Sequence, residues 1–446
     1  MTTPIWDFVR KYSNSGNLRL HMPGHKGVAS IGFEQYDITE INGADSLYEA
    51  KGIICESEKN AGELFSADTF YSAEGSSLSI RAMLYLALAY ARAEGRDPLV
   101  IAGRNVHKSF VSASALLGFD IEWIYPSDGG SYLSCAISAE TLNAVLERQS
   151  SKPAAVYITS PDYLGNVSDI EALGKVCHKH GALLIVDNAH GAYLKFLPVS
   201  RHPMDLGADM CADSAHKTLP VLTGGAYLHI SKKAPAMLAE LARGAMALFA
   251  STSPSYLILE SLDLVNRYIF DGYREKLSSF VQKLEILRGD LEAIGYRFVT
   301  DEPLKLTVCA KSYGYLGTEL ADMILERGIT PEFCDADFLV LMLTPKIDDD
   351  DLKRVYSAFA SIKRLDEIKE KPPIISKATV VMTPREAMLE CSELIPLSDS
   401  LGRILAETSV GCPPAVPILV CGEQIDEQSI RCFDYYGINH LRVVKK

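Results

Sequence analysis

The sequence predicts an α/β fold: a mainly parallel sheet covered on both sides, then a smaller α/β domain and a small C-terminal domain. Three observations lead there. Apolar runs rich in Val, Ile and Tyr recur at LVIAG (99–103), IEWIYP (121–126), AAVYIT (154–159), ALLIVD (182–187) and AYLHI (226–230). Helical patterns lie between several of them. The runs are apolar on both faces, as strands sandwiched between helices are.

Each element follows in order. Residues 1–60 read as an irregular N-terminal arm rich in Gly, Pro and His, with HMPGHKG at 21–27. The large domain is expected over 61–253. From Ser76 a helix reads SSLSIRAMLYLALAYARAEG, apolar on nearly every face and therefore buried. SDIEALGKVCHKHG is the clearest helix between strands, with Ser168 and Glu171 as a capping box and Gly181 as its stop. A long helical connector spans 254–290. YRFVT (296–300), KLTVCA (305–310), a helix over 318–327, FLVLML (338–343) and a helix from Asp350 complete a smaller α/β domain, 254–370 with the connector. The charged, then Pro-rich stretch KRLDEIKEKPPIISK (363–377) suits a linker to a last unit over 371–446. A chain of 446 residues is long enough for two or three such units.

Composition narrows the function classes. Net charge is −13, from 44 basic and 57 acidic residues, and no compact basic stripe overrides it, which argues against nucleic-acid binding. The ten cysteines include no CxxC pair, so neither a disulfide framework nor a thiolate metal site is expected. The N-terminus has no apolar h-region, and the longest apolar run, 82–91, is too short to span a bilayer. These features predict a cytoplasmic protein with free thiols, no membrane partner and no metal.

Three motifs carry chemistry when taken together. Gly75-Ser76-Ser77 opens the buried helix, where free N–H groups, the helix dipole and two hydroxyls suit an anion; a plain N-cap serine is the competing reading. Asp187 ends the strand ALLIVD, where open α/β sheets place ligands; a turn-forming Asp is the alternative. Ala189 and His190 follow closely enough to line the same crevice. Ser214, His216 and Lys217 stand in ADSAHKTL, and no acidic residue lies within three positions of Lys217. Most lysines are surface residues, but one desolvated in such a crevice is an amine nucleophile. Anion cradle, buried carboxylate and isolated lysine are what pyridoxal 5'-phosphate (PLP) requires.

The chain resembles the ornithine/lysine/arginine decarboxylase family of fold-type-I PLP enzymes, in its short bacterial members. The resemblance rests on HMPGHKG, EGSSLSIRAML, RNVHKSF, SPDYLGNVSDI, LLIVDNAHGAY, GADMCADSAHKTLP, STSPSYLILESLDL, GRILAE and CPPAVPILVCGE, in family order from residue 21 to 423. It implies an aspartate-aminotransferase-like large domain and a decarboxylase-type C-terminal domain. It implies Lys217 as the Schiff-base lysine, Asp187 at the pyridinium nitrogen, His107 stacked on the ring and Ala189 on its other face. Ser76, Ser77, Ser214 and His216 would hold the phosphate. It also implies a homodimer or larger assembly, with Ser253 reaching the neighbouring subunit's cofactor and Glu423 binding the substrate's distal amine. The reaction implied is decarboxylation of arginine, lysine or ornithine, a step of polyamine biosynthesis.

The chain departs from the family where Asn188 replaces the usual Glu, where Asp162 stands in SPDYLG, and where Pro413-Pro414-Ala415-Val416-Pro417 and Cys421-Gly422-Glu423 replace PPGIP and PGE. Those departures bear on substrate identity and keep two alternatives open: another fold-type-I reaction (amino transfer, aldol cleavage or elimination), or a catalytically weak regulatory homologue. Other candidates have plain readings too. His21 and His25 line an active-site entrance or serve as turn and dimer contacts. His178 and His180 suit a helix C-terminus. His190 contacts cofactor or substrate, or is a satisfied core histidine. Asp348–Asp351 starts a helix and lacks the spaced ligand loop of a calcium site.

Overall fold

The computed structural model describes residues 1–126, 131–299, 301–375, 377–408 and 415–446. Thr300 of the expected strand 296–300, and Cys412, Pro413 and Pro414 of the C-terminal motif, lie outside them. Seven strands form the main sheet: β1 (Ala67–Ser72), β2 (Leu99–Gly103), β3 (Asp120–Ile124), β4 (Ala155–Thr159), β5 (Leu183–Asp187), β6 (Met210–Asp213) and β7 (Ala226–Ser231). Their order is β1-β7-β6-β5-β4-β2-β3. Pairs β2–β3 and β5–β6 are parallel, as the apolar runs predict, and β5 is buried at every position. The run AYLHI departs from that pattern, because β7 is antiparallel to both β6 and β1. Only the single helical turn Ala215–Thr218 lies between β6 and β7, too little to cover a parallel crossover.

The chain divides into two compact units. The first comprises Met1–Asp97, Gln149–Val156 and Ile170–Lys276. Its helix Gly75–Ala93 buries Leu78, Ile80, Met83, Leu84, Leu86 and Ala87, as its sequence requires. Phe65, fully buried, sits among the rings of Phe196, His202, Tyr227 and His229 at centroid distances of 4.4–5.4 Å. The N-terminal arm is more regular than its composition suggests, since helices form over Pro4–Ser13 and Ile53–Phe65. The first buries Ile5 and Val9, and its early amide, Trp6 N–H, donates to Asp263 Oδ2 at 3.0 Å. That capping partner is 257 positions away and leaves no local trace. The long connector breaks at Gly272 (φ +91°) into helices Tyr256–Phe270 and Tyr273–Ala293.

The second unit comprises Pro98–Arg148, Tyr157–Asp169 and Leu277–Lys446. Strands β8 (Phe298–Val299), β9 (Lys305–Cys309), β10 (Phe333–Cys334) and β11 (Phe338–Met342) form an antiparallel sheet of order β10-β11-β9-β8. Strands β12 (Ser392–Pro396) and β13 (His440–Val444) pair separately. Val340, Leu405, Phe433, Leu441 and Val443 share one core. Among the described residues, no helix is long and apolar enough to cross a membrane.

Candidate cofactor site

Two antiparallel steps give β1 the direction of β5 and β6, so the C-terminal ends of all three open onto one edge of the sheet. Past β1, Gly75 takes φ +71° and its N–H donates to Gly224 O at 2.7 Å. Gly224 itself has φ +100°, and a Cβ there would stand 3.0 Å from Ala73 O, so only glycine fits. Gly75 then starts a 19-residue helix whose N-cap, Glu74, makes no side-chain capping bond. The positive end of that helix therefore faces outward beside two half-buried hydroxyls, Ser76 and Ser77. Ser214 Oγ donates to Ser76 Oγ at 2.7 Å, which ties the end of β6 to this helix start.

Strand β5 delivers Asp187, 2% exposed, whose Oδ1 accepts the Ala189 N–H at 3.2 Å. His190 follows, and its Nε2 lies 2.9 Å from Lys217 Nζ. Lys217 sits on the turn Ala215–Thr218, and His216 Nδ1 meets Gly225 O at 3.0 Å. One unit thus gathers the cradle, the strand-end carboxylate and the lysine, three features spread over 143 positions of sequence (75 to 217).

Beneath this edge lies a buried polar network that the motifs did not announce. Asp213 is fully buried; its Oδ1 accepts from Asn188 Nδ2 at 2.7 Å, and its Oδ2 lies 2.9 Å from His202 Nε2 and 3.3 Å from His229 Nε2. His202 Nδ1 accepts the Met204 N–H, which leaves its Nε2 proton for Asp213. Burial opposes ionisation of Asp213, but the two histidines and their hydrogen bonds outweigh it and hold the carboxyl below the usual range. Burial, then the Asp213 charge, pushes the neighbouring Cys211 thiol well up, so that thiol stays protonated. The available signal was an acid ending an apolar strand, MCAD, just as Asp187 ends its own.

His107 and Glu423 belong to the second unit and are bonded within it. His107 caps the helix Lys108–Leu117, its Nδ1 accepting from Ser109 N–H at 3.2 Å. Glu423, 2% exposed, accepts from Arg104 at 2.8 Å and from Val420 N–H at 2.7 Å. Asp162 of SPDYLG has a structural use: its Oδ1 accepts the amides of Leu164, Gly165 and Asn166, each at 2.9 Å. Ser253 is exposed, and its amide bonds Ser251 Oγ. His25 pairs with Asp37 at 3.1 Å, His21 bonds Tyr12, and His178 meets Asp209 at 3.0 Å.

The family description "Orn/Lys/Arg decarboxylase, major domain" matches residues 3–296, and its C-terminal domain matches residues 370–442. The chain belongs to the Orn/Lys/Arg decarboxylase family. An arginine decarboxylase of Bacillus subtilis is 29% identical over 96% of this chain and 92% of its own. Among solved structures, lysine decarboxylase A from Pseudomonas aeruginosa aligns with a TM-score of 0.81 at 18% identity, over 99% of this chain and 80% of that one. A serine palmitoyltransferase from S. paucimobilis with bound PLP aligns with a TM-score of 0.53 at 17% identity, over 68% of this chain and 74% of that one. The Orn/Lys/Arg decarboxylase assignment makes the protein a PLP-dependent amino-acid decarboxylase of fold type I. Its residues fit the cofactor: an uncapped helix start with two hydroxyls, a buried strand-end carboxylate and a half-buried amine stand in one unit.

Proposed function

We propose that the protein removes the α-carboxylate of a basic L-amino acid (arginine, lysine or ornithine) as CO2, leaving agmatine, cadaverine or putrescine, with Lys217 as the amine that holds the cofactor. The Lys217 Nζ–His190 Nε2 contact at 2.9 Å carries this reading, because it supplies an amine with a base in reach. PLP, when bound, supplies the electron sink for the breaking Cα–carboxylate bond. The chain's own residues do the rest. His190 relieves the Lys217 ammonium of a proton, leaving a neutral nucleophile. Asp187 provides the negative charge that keeps a proton on the ring nitrogen. Gly75, Ser76, Ser77, Ser214 and His216 anchor the phosphate, the first three at the helix start.

His107 and Ala189 would hold the ring of the cofactor, and His107 would supply a proton to the carbon that loses CO2. Glu423 takes the substrate's distal cation; its Oε1 is buried without a hydrogen bond, which leaves an acceptor there. Ser253, exposed on the single chain, reaches the cofactor of a neighbouring subunit in a homodimer or larger assembly. A cytoplasmic, metal-independent enzyme acting on a small molecule, with neither nucleic-acid nor membrane partner, fits the charge and cysteine usage. The relative from Bacillus subtilis is named arginine decarboxylase, so arginine is the first substrate to try.

Two measurements test this. The purified protein is expected to show a visible absorption band that Lys217→Ala loses after dialysis; a band that survives removes Lys217 from its role. CO2 release is expected from one of the three amino acids. Amino transfer to a 2-oxo acid without gas would replace decarboxylation by another reaction.

A further inference from the structure

The second unit holds a cavity of 390 Å³ that nothing above uses, within the range of small-molecule sites. Tyr132, Phe333, Tyr435 and Tyr436 wall it, with Asp335 and Ala336 at the turn between β10 and β11. None of these is expected at the cofactor or the substrate. Asp335 is 9% exposed. Its Oδ1 is committed, accepting the Asp337 and Phe338 amides at 2.8 Å each. Its Oδ2 is buried and makes no hydrogen bond. A buried acceptor left without a partner is destabilising, more so when charged, and so needs a reason.

The local charges do not balance. Asp337 pairs with Lys311 at 3.0 Å and accepts from Tyr435 at 2.7 Å, and Lys311 also bonds the Tyr435 hydroxyl. Two buried carboxylates thus face one ammonium. Burial pushes the Asp335 carboxyl up to about 6, which still leaves it ionised at neutral pH. The walls suit a cation as well. Tyr132 and Tyr436 meet at 4.7 Å and 61°, Tyr435 and Tyr436 at 4.9 Å and 87°, so ring faces turn toward more than one side. Such faces attract organic cations. One open carboxylate oxygen among phenyl walls is far short of the six to eight oxygens that a calcium ion takes.

We infer that this cavity binds a small organic cation, an alkylammonium or guanidinium, with its charge on Asp335 Oδ2 and its body among Tyr132, Phe333 and Tyr436. The inference does not depend on the decarboxylation reading. Methylguanidinium is the probe, because it is too poor a nucleophile to condense with the cofactor aldehyde. Calorimetric titration of the PLP-loaded, full-length protein is expected to show binding, with neutral methylurea silent. Asp335→Asn keeps the Oδ1 acceptor of the turn and should weaken binding at least tenfold. Ala336→Leu, which fills the cavity and leaves the carboxylate, should weaken it similarly and serves if the first variant does not fold. Equal affinity in wild type and a folded variant, no binding to the wild type, or equal binding of methylurea overturns the inference.

Discussion

At the residue scale, the least anticipated group is Asp213. It is buried completely, yet Asn188 and His202 bond it and His229 Nε2 stands 3.3 Å away. Buried anions survive only when so paired. Asp213→Asn places an N–H2 against donors and is expected to cost about 3–5 kcal/mol, measured by urea unfolding at pH 7. The sign of the pH dependence follows from the depressed carboxyl. Its stabilisation is present above the ordinary Asp value of about 3.9 and is lost as pH falls through the lower folded value. The gap between wild type and variant should therefore narrow in strong acid; a constant gap would deny the charge its role. Asn188, odd beside the family's usual Glu, acquires a reason here, since a second carboxylate 2.7 Å from Asp213 would repel it.

At the element scale, the candidate cofactor edge depends on how the helix start meets the segment before β7. Gly224 has φ +100° and no room for a Cβ beside Ala73 O, so Gly224→Ala should cost about 1–3 kcal/mol. It should also weaken PLP retention, since the Gly75 amide is anchored on the Gly224 carbonyl. Thermal unfolding and equilibrium dialysis of the cofactor check both, and unchanged retention would free the cradle from this bond. Further inside, the Ile53–Phe65 helix docks through Phe65 against an aromatic cluster that includes His202 and His229. Phe65→Ala is expected to lose about 3–5 kcal/mol in denaturant unfolding.

Over the whole molecule, buried acids set the pH dependence. Burial, reinforced by Asp37 and Asp263, pushes Glu260 up to about 8. Burial raises Glu58 to about 7 although Arg243 pulls it down. These folded values lie above the unfolded one, so their contributions are complete below about 4.3 and are lost as pH rises through 7 and 8. The melting temperature should fall between about pH 5 and 8, and Glu260→Gln should flatten that slope; an unaltered slope would assign it to other groups. By itself the sequence determined the alternation of buried strands and helices, because burial on both faces writes continuous apolar runs. It also exposed the three motifs proposed for the cofactor, because each sits at a strand end or helix start with its own local chemistry. The tertiary structure alone decided the antiparallel course of β7, the helix Pro4–Ser13 capped by Asp263, the His202–Asp213–His229 network and the open Asp335 oxygen. Each of these depends on partners far apart along the chain or on space left between side chains, and neither quantity has a local signature that periodicity or propensity can register.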